Sequence, residues 1–195
     1  MPHSQKAGCF TFKEQSNKKI MSSLELRIFP DPCLRVKTKP VRVFGTELDE
    51  VAREMAQIMR TSRGIGLAAP QVGLGLSLIV IDIGEGLRIF INPEIIECSQ
   101  ENDTMEEGCL SLPEIAVKVT RPKMVKVRAQ DHSGKIFSEI CEGLMARVIQ
   151  HEMDHLQGKL LINYLNPVVR VFDEIKMLGR KGKKSVSKKS ARKKL

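Results

Sequence analysis

The sequence predicts an α+β domain in which antiparallel β-sheets pack around a central helix carrying residues 151–155 (HEMDH), with a further N-terminal helix and a C-terminal helix. Strand candidates precede the central helix and do not alternate with helices, as they would in a parallel α/β sheet. Hydrophobic residues make up 42% of the 195 residues, which is enough for the core of one domain.

The first half of this domain should contain one helix and two strands. Prolines and a glycine predict extended chain and turns over residues 24–45. Apolar residues at helical spacing predict a helix over residues 47–60. A glycine-rich segment at residues 64–71 follows. Two buried strands are then expected at residues 76–83 and 87–91, and Asn92-Pro93 should turn the chain after the second one.

The second half should contain three strands and two helices. The strand candidates are residues 115–119, 124–129 and 136–141. Glu142-Gly143 opens the central helix, which should run to about Leu156 and stop before Gly158. Pro167 is favourable in the first turn of a helix, so a last helix is expected over residues 167–178.

The two ends of the chain differ from its body in charge and hydropathy. Ten of the 32 Lys and Arg residues lie in residues 176–195 without any Asp or Glu, so the rest of the chain is nearly neutral. A basic tail at 179–195 and a polar leader at 1–20 are expected to be disordered, which leaves 21–178 as a single domain. No long apolar run predicts a membrane span or a secretory signal.

Cysteine usage indicates the redox compartment. The five cysteines are odd in number, are irregularly spaced and include no CxxC pair, so a disulfide framework is a poor interpretation. A reducing cytosol fits better, and there a special cysteine is a metal ligand or a nucleophile.

The central helix carries the strongest chemical signal. Four residues advance an α-helix by slightly more than one turn, so His151 and His155 can face a single metal ion. Glu152, beside the first histidine, can accept a proton from a water that the metal makes more acidic. The pattern is short, and satisfied core histidines are the alternative. Because the histidines extend an apolar face, a buried site is favoured.

A catalytic metal needs a third protein ligand and an open position. The best candidate is Cys109, in the segment 106–113 (EEGCLSLP), where a probable strand ends. A thiol beside a divalent cation would be deprotonated. Considered alone, a cysteine such as Cys109 is more often a small buried hydrophobic residue.

Three separated segments together resemble one family. Residues 64–71 (GIGLAAPQ), 107–111 (EGCLS) and 150–155 (QHEMDH) are similar, in this order, to the three signature motifs of peptide deformylases. The resemblance extends from Phe29 to about Asn166 and leaves out the leader and the tail. It implies a catalytic domain that hydrolyses the formyl group from the N-terminal methionine of newly made polypeptides and releases formate.

The resemblance also implies a role for each motif residue. Cys109, His151 and His155 would bind the metal, and Glu152 would act as general base and then as general acid. Gln71 and the backbone N–H of Leu110 would donate to the formyl oxygen, as an oxyanion hole requires.

Further residues would bind substrate or support the metal ligands. Those implied for substrate binding are Ile65, Gly66, Met105, Gly108, Leu144 and Val148, and core packing is an equal alternative for the apolar ones. Arg147 lies near this wall, and its head could reach solvent. Glu107 could pair with Arg121 beside Cys109, or the two could form a surface ion pair of little value.

Cofactor, partners and location follow from the same resemblance. One divalent ion per chain is expected, typically Fe²⁺, with Zn²⁺, Ni²⁺ or Co²⁺ also able to bind. The substrates would be N-formylmethionyl nascent peptides, and the basic tail could bind ribosomal RNA or merely aid solubility. A bacterial-type cytoplasmic location is expected, with an organellar one left open.

Two other function classes compete with this interpretation. A metalloprotease would use the same HExxH chemistry on internal peptide bonds, but the cysteine ligand and the Gln71 segment argue against it. An RNA-binding protein with a structural metal would need a fourth protein ligand, and the sequence offers no good candidate.

Overall fold

The computed structural model describes residues 24–166. Within that range it contains a five-stranded antiparallel sheet, a two-stranded antiparallel hairpin and two α-helices, so the predicted α+β class is confirmed. The predicted leader, the last helix at 167–178 and the basic tail lie outside the described residues. No described helix combines the length and the apolar character needed to cross a membrane.

The large sheet has the strand order β1-β2-β3-β6-β7. Its strands are β1 (Gly66–Ala68), β2 (Leu78–Ile81), β3 (Arg88–Cys98), β6 (Met124–Gln130) and β7 (Ile136–Glu142). The hairpin consists of β4 (Asn102–Cys109) and β5 (Leu112–Pro122). The helices are α1 (Thr46–Thr61) and α2 (Gly143–Leu156), and short 3₁₀ helices span Pro32–Arg35, Ala69–Val72 and Leu161–Tyr164.

Helix α2 lies at the centre of the molecule, between the large sheet and the hairpin. Its apolar face, including Ala146 and Ile149, packs with strands β2, β3 and β6 in one core cluster. It ends at Leu156, and two residues later the backbone of Gly158 is left-handed, with a φ of 72°. A Cβ there would lie 2.5 Å from the carbonyl oxygen of Arg35, so this position requires glycine.

The prediction that Asn92-Pro93 turns the chain is wrong, because β3 continues through these two residues to Cys98. The pairing register of β3 with β6 shifts between Ile91 and Glu94, which marks a β-bulge. Asn92 adopts a φ of 52°, which asparagine tolerates. Its side chain hydrogen-bonds the backbone N–H and carbonyl of Val41, so the bulge is held in place and the chain stays in the sheet.

Strand β4 is the element that the hydrophobic pattern did not reveal. Its sequence, NDTMEEGC, is mostly polar, and only Glu107 is fully buried. It pairs with β5 alone and has no alternating apolar face for the core. Strand β5 is also longer than the predicted 115–119, because pairing with β4 extends it at both ends.

Candidate metal centre

Helix α2 brings the two histidines together from one face. His151 and His155 are one turn apart, and their ring centroids are separated by 5.1 Å. His155 is fully buried, whereas the side chain of His151 is 11% exposed at the floor of a cleft. Burial holds the pKa of His155 well below its usual range, so its ring is neutral and can coordinate a metal.

The hairpin supplies the third donor. Strand β4 ends at Cys109, and its Sγ lies 3.3 Å from Nε2 of His155. The donor atoms of Cys109, His151 and His155 all lie within 4.8 Å of one another. One sulfur and two imidazole nitrogens suit several divalent transition metals, and three protein ligands leave a position open for catalysis.

Of the other described cysteines, none lies at this centre. Cys33 and Cys141 are buried, Cys98 is exposed at the end of β3, and none is in a disulfide. Burial raises the pKa of the Cys141 thiol to about 12, so this thiol is inert. Cys9 lies outside the described residues.

A buried carboxylate orients His151. Glu107 Oε2 lies 2.9 Å from Nδ1 of His151. Burial by itself would raise the pKa of Glu107, but hydrogen bonds from His151 and Arg121 lower it to about 2, so the carboxylate is charged and can only accept. Nδ1 therefore keeps a proton, so Nε2 is the ring nitrogen that could bind a metal.

Two arginines hold this carboxylate. Arg121 donates to both oxygens of Glu107, at 2.7 and 2.9 Å. Both side chains are nearly inaccessible to solvent, so they do not form the surface ion pair considered as an alternative. Arg147 donates to Glu107 Oε1 at 2.7 Å. Its side chain is only 8% exposed, and the expectation that its head reaches solvent is wrong.

The network continues beyond the predicted residues to Asp154 and Tyr164. Arg121 Nη1 donates to Asp154 Oδ2 at 2.9 Å, and the Tyr164 hydroxyl donates to the same oxygen at 2.7 Å. The sequence did offer a signal for Asp154, because it lies inside HEMDH, three residues after His151. The sequence offered no signal for Tyr164. Its partner Arg121 is distant in the sequence, and its partner Asp154 is separated from it by the end of α2.

Glu152 lies in a dry environment beside the donor cluster. Burial raises its pKa to about 7, and its Oε2 has no hydrogen-bond partner within residues 24–166. An oxygen that is buried and unpaired in this way is available to a water or a substrate. This carboxylate can therefore accept and return a proton near neutral pH.

Gln71 approaches the cluster from the 3₁₀ helix Ala69–Val72. Its Oε1 accepts from the backbone N–H of Ala68 at 2.8 Å, which fixes the orientation of the amide. Its Nε2 consequently faces the centre, 3.6 Å from Cys109 Sγ and 3.2 Å from Ser111 Oγ. Ser111 is fully buried and belongs to the 107–111 motif, yet the sequence alone assigned it no role.

A cleft of about 540 Å³ opens over this centre. Ile65, Met105 and Leu144 are between 42% and 46% exposed at its edge, so core packing does not describe them. Val148 is buried in its wall. The six residues predicted for substrate binding all line this cleft, namely Ile65, Gly66, Met105, Gly108, Leu144 and Val148. Other lining residues, which the sequence did not indicate, include Arg63, Glu106, Glu114 and Ile115.

Comparison with known proteins identifies the family. A family model described as polypeptide deformylase matches residues 23–171. The peptide deformylase of Thermotoga petrophila is 44% identical over 153 residues, which is 78% of this chain and 93% of that protein.

Solved structures give the same result. The crystal structure of the Thermotoga maritima peptide deformylase has a TM-score of 0.72 at 45% identity and aligns with 74% of this chain and 98% of that one. The Legionella pneumophila peptide deformylase has a TM-score of 0.76 at 38% identity, with coverages of 83% and 96%. With the three motifs gathered around one cleft, this chain belongs to the polypeptide deformylase family.

Proposed function

We propose that this peptide deformylase binds one divalent metal ion through Cys109, His151 and His155 and hydrolyses formyl groups in the cleft above them. The observation that carries this proposal is the convergence of the three donor atoms within 4.8 Å. Beside them lies a buried carboxylate, that of Glu152, with an oxygen that no described residue binds. A set of three donors with an open position suits catalysis and not a closed structural site.

The chemistry divides between the metal and the protein side chains. The metal would act as a Lewis acid that polarises the formyl carbonyl and makes water more nucleophilic. Glu152 accepts the proton of the attacking water, whose oxygen adds to the formyl carbon. Glu152 then returns this proton to the amine as the C–N bond breaks. These two transfers give formic acid and a peptide with a neutral amino terminus. At neutral pH the proton of the acid passes to the amine, so the final products are formate and a peptide with a protonated amino terminus, and atoms and charges balance.

Gln71 and Leu110 stabilise the charge that develops on the formyl oxygen. Gln71 has a fixed amide whose Nε2 faces the donor cluster. The backbone N–H of Leu110 directly follows the cysteine ligand in the chain and would provide the second donor. Such preorganised donors each contribute about 10²–10³-fold in rate in comparable hydrolases.

The cleft also accounts for the preference for methionine. A flexible, unbranched thioether side chain fits the apolar surface of Ile65, Met105, Leu144 and Val148. Gly66 and Gly108 line the cleft, and without side chains they would let a peptide backbone come close to the centre. Glu107 and Arg121 act behind the cleft by orienting His151.

A direct test measures formate release from an N-formylmethionyl peptide. We expect formate and a free methionine amino group in equal amounts, and no cleavage of an N-acetylated peptide without a formyl group. Internal cleavage of that control peptide, with no formate from the first substrate, would favour the metalloprotease alternative.

Fe²⁺ is the metal that we propose for the native enzyme, with Zn²⁺, Ni²⁺ or Co²⁺ able to take its place in a purified sample. The resemblance to the family supports this choice, because Cys and His donors alone suit several metals. In the same formate assay, protein prepared without oxygen should contain iron and lose both iron and activity in air. Full activity of protein that contains zinc and no iron would contradict the proposal that Fe²⁺ is the native metal.

The basic tail at 179–195 lies outside the described residues, and we propose that it binds ribosomal RNA. Its charge, without aromatic residues for base stacking, suits contact with phosphates. Deleting residues 179–195 should weaken ribosome binding in a salt-dependent way and spare hydrolysis of a short peptide. Ribosome binding that is unchanged by the deletion would contradict this role.

A bacterial-type cytoplasmic location completes the proposal. The matched proteins from Thermotoga and Legionella support it, as do the free cysteines of the described chain. Nascent formylated peptides, the proposed substrates, are made in that compartment.

A further inference from the structure

Arg147 links the helix that carries the histidines to the hairpin that carries the cysteine. It lies on α2, one turn before His151. Its Nη1 donates to the carbonyl of Val119 at 3.0 Å, and its Nη2 donates to the carbonyl of Asp103 at 2.9 Å. One guanidinium therefore holds both strands of the β4–β5 hairpin, since Asp103 lies on β4 and Val119 on β5.

The same guanidinium also fixes the carboxylate that orients His151. Glu107 Oε1 accepts from Arg147 and Arg121, and Glu107 Oε2 accepts from Arg121 and His151. With four donors in place, this carboxylate has little freedom to rotate. Removal of Arg147 would take one donor from Oε1 and leave the buried carbonyl of Val119 and the half-buried carbonyl of Asp103 without this partner.

Geometry connects these contacts to the metal ligands. Cys109 is two residues after Glu107 on β4, so the two side chains move together with the strand. The distance from Cys109 Sγ to the histidine rings therefore depends on how the hairpin sits against α2. Two contacts without Arg147 also join these elements, Arg121 to Asp154 and Gln150 to Pro122. Arg121 reaches Glu107 from β5, within the hairpin, whereas Arg147 reaches it from α2.

We propose that Arg147 is a positioning residue for the metal centre. It holds the hairpin against α2 and keeps Glu107 aligned with His151, so that all three donors point at one ion. This inference rests on the proposed metal site. It goes further because it states that a residue that is not a ligand determines how tightly the metal is held. Contacts of this kind change metal affinity by about 10- to 100-fold.

The test compares metal retention in full-length variants loaded with Co²⁺. Release to an excess of chelator is followed by the loss of the cobalt–thiolate absorption, which reports Cys109 without any activity assay. Arg147→Met should release the metal about 10-fold faster or more. Arg147→Lys keeps the charge but loses the planar fork, so its release rate should lie between those of Arg147→Met and the parent.

Two controls separate positioning from loss of a buried contact. Arg128→Met removes an exposed ion pair with Glu94 on the large sheet and should retain metal as the parent does. In a Glu107→Gln background, Arg147→Met should have a smaller effect on release, because the charged carboxylate is gone and only the contacts with the carbonyl groups of Val119 and Asp103 remain to be lost.

The outcomes are distinct. If Arg147→Met and Arg147→Lys both release Co²⁺ at the parental rate, the positioning role is overturned, even if Arg147→Met is less heat-stable. If Arg147→Met does not fold, the Arg147→Lys variant decides the question. Faster Co²⁺ release from Arg147→Lys than from the parent supports the role, and release at the parental rate overturns it. A parent protein that binds no Co²⁺ and releases no formate would instead contradict the proposed function itself.

Discussion

Replacing Glu152 with glutamine should lower kcat for formate release by about 10²- to 10⁴-fold, which is the usual contribution of a general acid–base. Glutamine has nearly the same shape, so it can occupy the same fully buried position. Its amide cannot accept the proton of the attacking water or return it to the leaving amine. The measurement is steady-state kinetics on an N-formylmethionyl peptide, with metal content determined on the same sample.

The metal content makes this experiment decisive. Glu152 is not one of the three donors, so the variant should keep its metal and its thermal stability while activity falls. Glu142→Gln is a suitable control, because this exposed carboxylate directly precedes the same helix and does not line the main cleft. If Glu152→Gln retains more than about a tenth of parental kcat, the base must be another group.

The sequence predicted the part of the site that is local. His151, Glu152 and His155 lie within one helical turn or so, and helix geometry alone places them on adjoining positions. The relation of this turn to Cys109 is a tertiary contact, in which Cys109 meets His155 at a separation of 46 residues in the sequence, and spacing cannot give it. Only the resemblance of the three motifs to one family joined Cys109 to the two histidines. In the fold these motifs meet because the hairpin and α2 pack against each other.

Two features escaped prediction for physical reasons. Strand β4 is mostly polar, and its pairing partner β5 determines its conformation more than its own hydrophobic pattern does. The direction of the Arg147 head depends on acceptors in Asp103, Glu107 and Val119, all distant in sequence. A long charged side chain is expected to reach solvent unless such acceptors are present, and only the tertiary structure reveals them.

Replacing Gly66 with alanine should lower kcat/KM for the formyl peptide by about 10²-fold or more, the loss that a misplacement of about 1 Å can produce at a reacting centre. A Cβ on Gly66 would lie 2.7 Å from Val148 Cγ1 and closest of all to Glu152 Oε1. Both neighbours are buried on α2, so neither can move aside freely. The methyl group would therefore displace the carboxylate that we propose as the general base.

The cause of that loss can be isolated by combining substitutions. Gly108→Ala adds a methyl group in the same cleft that would meet no protein atom within 4 Å, so any loss there reports hindrance of the peptide and not displacement of Glu152, and we expect it to be smaller. In a Glu152→Gln background the further effect of Gly66→Ala should shrink, because both changes act on one carboxylate and their effects are not additive. Full additivity would show instead that Gly66→Ala acts on peptide binding. The absence of a side chain at residue 66 would then serve the substrate and not the base.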